Sequence, residues 1–366
     1  MLKIGLFIPS INHFVETLVY WLLQNQDIQV ILITSLENSQ SLSEHPWTLK
    51  RLAVVPRLQI VSIETQPQKL DYLLFRCSKY SKFEFDTLKV WKKKAIKTVI
   101  LSRSIISSWK ECIKELCYSF PLFINASGVI VEASSSDISP YFHIQNRFYY
   151  TPFPHPQILW DEKLRKQIYS PIYDIDQERL FKFHFIGNYN PLERKVVLEQ
   201  VKQQLNQIPK INIVKKYPAN TIIDNHTNAL FIEYGDSGIR GVSPEMYIES
   251  LSQADFCISP MGWGDNWTHR TVEALLRGAI PILEDPDRYN IGLKDMKNCI
   301  VVRNKNWAKA IERAYNLNTD CLSDIRLNIL KIIESDLLPE RASRKLIEAL
   351  NIKKENRTKN FSPKSF

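Results

Sequence analysis

Short runs of apolar residues alternate with longer amphipathic stretches along most of the chain, starting with KIGLFIP at residues 3–9. Helical spacing follows over 14–24, and IQVILIT at 28–34 is the next apolar run. LQIVSI and DYLLFRC come after it, and KTVILS at 97–102 precedes helical spacing over 104–118. The runs are continuously apolar, which predicts strands buried on both faces, as in a parallel sheet flanked by helices.

The pattern breaks between residues 149 and 173, where YYTPFPHPQILW and YSPIYD carry prolines and aromatics without a period. This reads as the region between two domains, although proline-rich aromatic segments also line clefts. Alternation resumes with RLFKFHFIGNYNPLERKVVLEQVKQQL, predicting a strand over 181–186, a turn at Gly187 and a helix ending at Leu205. Residues 321–350 read as helices interrupted at Pro339, and the polar, basic last sixteen residues as a loose tail. Two cores are also what 366 residues lead one to expect.

Glycine separates the halves. Of ten, only Gly5 and Gly128 precede residue 187, and the other eight lie between Gly187 and Gly292. Glycine lets a backbone approach a ligand closely, so the second half is the expected holder of a phosphate. Three of the ten lie in SPMGWGDNWTHRTVEALLRGAIPILEDP, residues 259–286. It follows a predicted helix, YIESLSQA, and a strand, DFCISP, that ends at Pro260. A glycine loop over 261–267 then leads into a helix over about 268–277, capped by Asp265, Asn266 or Thr268. Val272, Leu275, Leu276 and Ala279 form its buried face, Gly278 ends it, and AIPIL is a buried strand. Arg270 and Glu273 fall on another side, in the first two turns. A helix N-terminus with a glycine loop and a forked cation suits a diphosphate, and Glu273 can accept from two ribose hydroxyls. An exposed i,i+3 ion pair between the two is the competing reading.

The order of these features resembles the nucleotide-sugar-binding core of exostosin-like (GT47-like) glycosyltransferases. The matching residues are Gln253-Ala254-Asp255-Phe256-Cys257, Ser259-Pro260-Met261-Gly262, Arg270-Thr271-Val272-Glu273-Ala274 and Gly278-Ala279-Ile280-Pro281-Ile282. FHFIGN, ending in Gly187 and Asn188, resembles that family's FFxG strand, and the loop carries an added WGDNW with Trp263 and Gly264. The resemblance implies an α/β GT-B fold, two Rossmann-like domains facing a cleft. Residues 1–165 would form the acceptor domain and 178–320 the donor domain, with helices over 321–350 returning to the first and a basic tail over 351–366. It implies inverting, metal-independent transfer from a nucleoside-diphosphate sugar, UDP-sugar favoured, to a hydroxyl of a glycan or glycolipid acceptor. By that resemblance Arg270 would contact the diphosphate and Glu273 the ribose; Gly187, Asn188, Pro260 and Gly262 in the matching segments are further donor-site candidates, as are Trp263 and Gly264 of the added loop, His269 as a donor to phosphate or sugar against a passive polar residue, and Tyr189 as a stacking surface for a base against simple packing.

Inverting transfer needs a base opposite the leaving diphosphate. His13, at the carboxyl end of the first predicted strand, Glu16 one turn on, and Asp137 in EASSSDISP are the candidates. The EDPD at 284–287 offers a different chemistry, a metal-dependent transferase holding a cation between Asp285 and Asp287. A sugar-nucleotide epimerase is a further alternative.

Charge adds a bias towards anionic partners: the formal net charge is +9 and the pI about 9.1. Lys92, Lys93 and Lys94 beside Trp91, with Lys89 and Lys97, could form a helix face for an anionic membrane surface, against the blander reading of a solvated face. A non-enzymatic nucleic-acid-binding protein is the remaining alternative, but basic residues are spread along the chain and match no nucleic-acid module, so a nucleic-acid partner is not expected. Six cysteines without a CxxC pair fit a reducing compartment, and Cys257 and Cys299 lie in apolar runs. The first apolar run is too short to span a bilayer and lacks a cleavage site, so the expectation is a cytoplasmic protein, soluble or peripheral.

Overall fold

The computed structural model describes residues 1–8, 13–34, 55–76, 81–102, 128–131, 147–149, 151–171, 175–189, 192–209, 211–217, 228–234, 242–261 and 268–350. The apolar runs form two all-parallel sheets. The first comprises β1 (Leu2–Phe7), β2 (Ile28–Thr34), β3 (Leu58–Ser62), β4 (Leu70–Arg76), β5 (Ala95–Ser102), β6 (Gly128–Val131) and β7 (Arg147–Tyr149), in the order β3-β2-β1-β4-β5-β6-β7. The order reverses between β1 and β4, the place where open α/β sheets bind ligands at their carboxyl ends.

Helix α1 (His13–Leu23) leaves the carboxyl end of β1 and is buried along most of its length. Helix α2 (Lys82–Lys94) starts at a reciprocal capping box, with the Ser81 hydroxyl accepting from the Glu84 N–H and Glu84 accepting from the Ser81 N–H. Leu88 and Trp91 bury its inner face against the sheet. Trp91 is therefore core and does not belong to a basic outer face. Lys92 lies half-buried 5.2 Å from the Phe75 ring centroid, and Lys97 is on β5; Lys93 and Lys94 are exposed.

The proline-rich segment folds into two short helices, α3 (Pro156–Trp160) and α4 (Glu162–Ile168), and bridges the two cores. Phe153 and Leu159 pack in the first core, Ile158, Leu164 and Ile168 in the second.

The second sheet comprises β8 (Phe181–Asn188), β9 (Asn212–Val214), β10 (Asn228–Tyr234), β11 (Ala254–Ile258), β12 (Ile280–Leu283) and β13 (Ile300–Val301), in the order β13-β12-β11-β8-β10-β9. It carries α5 (Leu192–Gln207), α6 (Pro244–Ser252), α7 (His269–Leu276) and α8 (Trp307–Tyr315). Helix α7 ends as the glycine predicts: Gly278 has φ 70°, its N–H bonds to Leu275 O and the Ala279 N–H to Ala274 O. The single buried face expected of α7 is too narrow, since every residue from Arg270 to Leu276 is buried.

Helix α9 (Thr319–Ile332) packs in the second core through Leu322, Ile325 and Ile329. A π-helical turn at Ile333–Leu337 and Pro339 then redirect the chain into α10 (Pro339–Ala349). Ala342, Leu346 and Ile347 of α10 join the first core, and the Ser343 hydroxyl donates to Trp21 O at 2.8 Å. Only the second half of the expected returning helices thus crosses back. The expected helix over 104–118 and the tail over 351–366 lie outside the described residues. No helix among the described residues is long and apolar enough to cross a membrane.

Candidate functional site

In the second sheet β8 runs between β11 and β10, so the carboxyl ends of these three strands share one rim. Helix α7 sets its first turns on that rim. The Arg270 side chain crosses the end of β8, where Nη2 donates to Ile186 O at 3.0 Å and the guanidinium carbon lies 4.5 Å from the Phe185 ring centroid. A β-carbon on Gly187 would stand 1.9 Å from Nη2. Gly187 lies within the strand, not at the turn the sequence predicts, and is required there by close approach.

Arg270 is only 9% exposed, yet Nε and Nη1 have no hydrogen-bond partner. Leaving such groups unpaired costs roughly 1–3 kcal/mol each, and more when they are charged. Arg194 of α5 stands beside it: Nη2 donates to Met261 O at 2.8 Å and Nη1 to Asn188 O at 3.2 Å. Burial, and next the Arg270 guanidinium, push Arg194 down to about 10. The rim therefore carries two neighbouring guanidiniums, which favours an anion. The same surroundings act on His184 of β8, whose Nε2 is 2.8 Å from the Ser250 hydroxyl. Burial and then Arg270 hold it down at about 3, so it is neutral.

Glu273, one turn on and 3% exposed, accepts the His155 N–H on Oε1 at 2.9 Å and the Tyr247 hydroxyl on Oε2 at 2.6 Å. Burial and the carboxylate raise the Tyr247 phenol well above its ordinary value, so it stays a donor. Glu273 and Arg270 do not spend these bonds on each other, and the exposed ion pair of the competing reading is not what the helix presents. His269 Nδ1 donates to Phe153 O at 3.0 Å, and its ring meets His155 edge-on with centroids 5.4 Å apart. Thr268 is the N-cap residue but makes no side-chain cap bond. Instead the Tyr289 phenol oxygen accepts the Thr268 N–H at 3.2 Å, with the Thr271 hydroxyl 2.7 Å away. Asp265 and Asn266 lie outside the described residues.

These groups enclose a cavity of about 150 Å³, with Arg270, Glu273, His269, His155, Tyr247 and Tyr234 among its walls. Of the predicted donor residues, Arg270, Glu273 and His269 line it, and Gly187 and Asn188 act through Arg270 and Arg194. Tyr189 packs against the second core with Lys195 Nζ 5.9 Å from its ring centroid, and Pro260 is buried just past β11. Gly262, Trp263 and Gly264 lie outside the described residues, as does Asp137. His13 begins α1, and only its backbone is described; Glu16 is buried on α1 and does not line the cavity. Asp285 pairs with Arg288 Nε at 2.6 Å, and Glu284 accepts from Trp307 Nε1 at 3.2 Å. Among the described residues no group of three His, Cys, Asp or Glu is placed to share a metal ion.

Sequence reasoning missed His155 and Tyr247. The available signal for His155 was the proline-rich aromatic segment that can line a cleft; Tyr247, on a preceding helix, carries none.

Two Rossmann-like domains, a cavity at the carboxyl ends of the second sheet and a last helix returning to the first domain define a GT-B fold. Solved structures superpose on nearly the whole chain. The N-terminal domain of Candida albicans trehalose-6-phosphate phosphatase matches with a TM-score of 0.60 at 12% identity, covering 95% of this chain and 96% of that one. Anabaena HepE in complex with UDP matches with a TM-score of 0.58 at 13% identity, over 96% and 100%. A glycosyltransferase from Rickettsia africae ESF-5 matches with a TM-score of 0.57 at 10% identity, over 96% and 99%. No protein-family model matches the chain, and no curated protein matches it in sequence.

Proposed function

We propose that this protein is a glycosyltransferase that moves a hexosyl group from a nucleoside-diphosphate sugar, UDP-sugar favoured, to a hydroxyl of a glycan or glycolipid acceptor. The observation that carries the reading is the buried Arg270 guanidinium, two of whose nitrogens have no partner, in the wall of a cavity on the strand ends. A diphosphate oxygen supplies the acceptors those N–H groups lack, and Arg194 adds to the field that draws it in. Glu273 holds the ribose in this reading, its carboxylate kept in place in the cavity wall by the His155 N–H and the Tyr247 hydroxyl.

Transfer proceeds with inversion and without a metal in this reading, since guanidiniums stand where a cation would neutralise the leaving diphosphate. The base comes from the first domain, where His13 and Glu16 follow the switch point of that sheet; Asp137 is the other candidate. The exostosin-like pattern agrees with the burial of Phe256, Cys257 and Glu273. Exposed Lys93 and Lys94 could bring a cytoplasmic protein to an anionic membrane face where a glycolipid acceptor sits.

The test is thermal unfolding with UDP, GDP, CDP and CMP, with and without Mg²⁺, alongside Arg270→Ala. Ligand at ~100 times its dissociation constant stabilises the fold by about 2.7 kcal/mol. A shift with one nucleotide, independent of Mg²⁺ and lost in Arg270→Ala, is expected; no shift with any of them overturns the reading.

A further inference from the structure

We propose that the outer face of α2 is a lipid-docking surface that lies flat on an anionic bilayer, with Phe83 and Val90 entering between the headgroups and the neighbouring lysines meeting the lipid phosphates. The proposal rests on the membrane-face part of the reading above and adds to it an apolar contact and the orientation which that contact imposes.

Leu88 and Trp91 commit the inner face of α2 to the first sheet, where both are fully buried. The outer face is not simply polar. Phe83 is 55% exposed and Val90 45%, at positions where a helix facing water carries polar side chains. At about 100° per residue Phe83, Val90 and Lys94 fall within about 40° of one another, and Lys82, Asp86, Lys89 and Lys93 lie on one flank within about 120° of Phe83. All seven residues are exposed. The face is thus a line of two apolar side chains, two turns apart, bordered by lysines. Its one acid, Asp86, is met by Lys89 Nζ at 3.2 Å, so the face as a whole is cationic.

A lone exposed apolar residue is ordinary on a soluble protein, and a lysine face by itself is satisfied by water. Together they match the boundary of a bilayer, where headgroup charge attracts the lysines and the acyl region receives the apolar line. The contact also orients the domain. Strand β4 ends at Arg76 and α2 starts at Lys82, so Phe83 is at the end of the helix nearer the carboxyl ends of the first sheet; Lys93 and Lys94 are at the other end, where β5 begins. A helix lying in the membrane plane therefore brings that strand-end rim to the bilayer, within reach of a hydroxyl on a lipid headgroup.

The test is co-sedimentation of the full chain with vesicles of phosphatidylglycerol and phosphatidylcholine, and with vesicles of phosphatidylcholine alone. Three proteins are compared: wild type, Phe83→Ser with Val90→Ser, and Phe83→Leu with Val90→Ile. The serine pair keeps every lysine and removes only the apolar line, so its partitioning into the anionic vesicles should be at least about ten-fold weaker. The leucine and isoleucine pair should bind as wild type does, and both pairs should keep the wild-type unfolding midpoint. Part of the wild-type binding should survive high salt, which screens the lysines but not the apolar contact. Equal binding of the serine pair and wild type overturns the proposal and leaves adsorption by charge alone. Loss of binding in both pairs overturns it too, because a conservative apolar change should not matter to insertion, and so does binding to phosphatidylcholine alone as tight as to the anionic vesicles. A wild type that does not sediment with anionic vesicles overturns both the proposal and the membrane-face reading, while the donor site stands or falls by nucleotide binding.

Discussion

Arg270 Nη2 occupies the space that a β-carbon on Gly187 would fill, 1.9 Å from that position. The guanidinium reaches Ile186 O and the Phe185 ring only because residue 187 has no side chain. In Gly187→Ala the buried guanidinium must move, and with it the two nitrogens that have no hydrogen-bond partner. The expected result is at least about ten-fold weaker binding of the nucleoside diphosphate with the fold retained, measured by titration calorimetry and circular dichroism. Unchanged affinity would mean that Arg270 is not the anion's partner.

Arg270 also makes an unusual stability prediction. A buried guanidinium with two unpaired nitrogens costs the empty protein free energy, so Arg270→Met should unfold at the same temperature as wild type or higher when no ligand is present. The same variant should lose the stabilisation given by nucleotide. A variant that is destabilised without ligand contradicts this account.

Acid should destabilise the second domain through His184. Its folded pKa, about 3, lies below the ordinary 6.5, so between those values the unfolded chain binds the extra proton. The contribution is complete above pH 6.5 and is lost as pH falls towards 3, with a slope approaching ~1.4 kcal/mol per pH unit. Urea unfolding of wild type and His184→Asn at several pH values should show a flatter dependence in the variant; parallel curves would discard His184 as a cause.

Asp255 fastens α9 to β11 by accepting from Arg326 Nη2 on one oxygen and from Lys182 Nζ at 3.2 Å on the other. All three side chains are nearly out of solvent. Asp255→Ala leaves two buried cations unpaired and should cost about 3–5 kcal/mol in urea unfolding. A loss under ~1 kcal/mol would place this cluster among surface-type pairs.

Membrane association, if Lys93 and Lys94 drive it, should appear as sedimentation with vesicles containing phosphatidylglycerol and not with phosphatidylcholine alone. Each lysine near the surface contributes about 1 kcal/mol at low salt, so the double change to glutamate should abolish it. Lys92→Gln should matter less, because that side chain lies over Phe75.

Much of this was legible locally. The apolar run at Ile28–Thr34 predicts a strand buried on both faces and the resumed alternation predicts another over 181–186, and both lie inside parallel sheets. Gly278 predicts the end of α7 because a left-handed residue there satisfies the last carbonyls. The spacing of Arg270 and Glu273 marks a turn of helix with unusual chemistry. Helical periodicity misjudged one matter: it assigns α7 a single apolar face, whereas Arg270 and Glu273 are buried beside it. A polar side chain can be buried wherever a partner or a ligand meets it, and that partner need not be near in sequence.

What the sequence determined by itself is the alternation that builds two α/β layers and the stretch that opens and closes α7. Tertiary structure decided what surrounds that helix. His155 lies 118 residues from Glu273 and Tyr247 lies 26 away, and the packing of the α3 segment and of α6 around α7 brings both to one carboxylate. It also decided that α9 stays with the second core while α10 crosses to the first. Local periodicity reports which face of an element is apolar; which distant element covers that face depends on the packing of the whole chain, and the cavity is made by that packing.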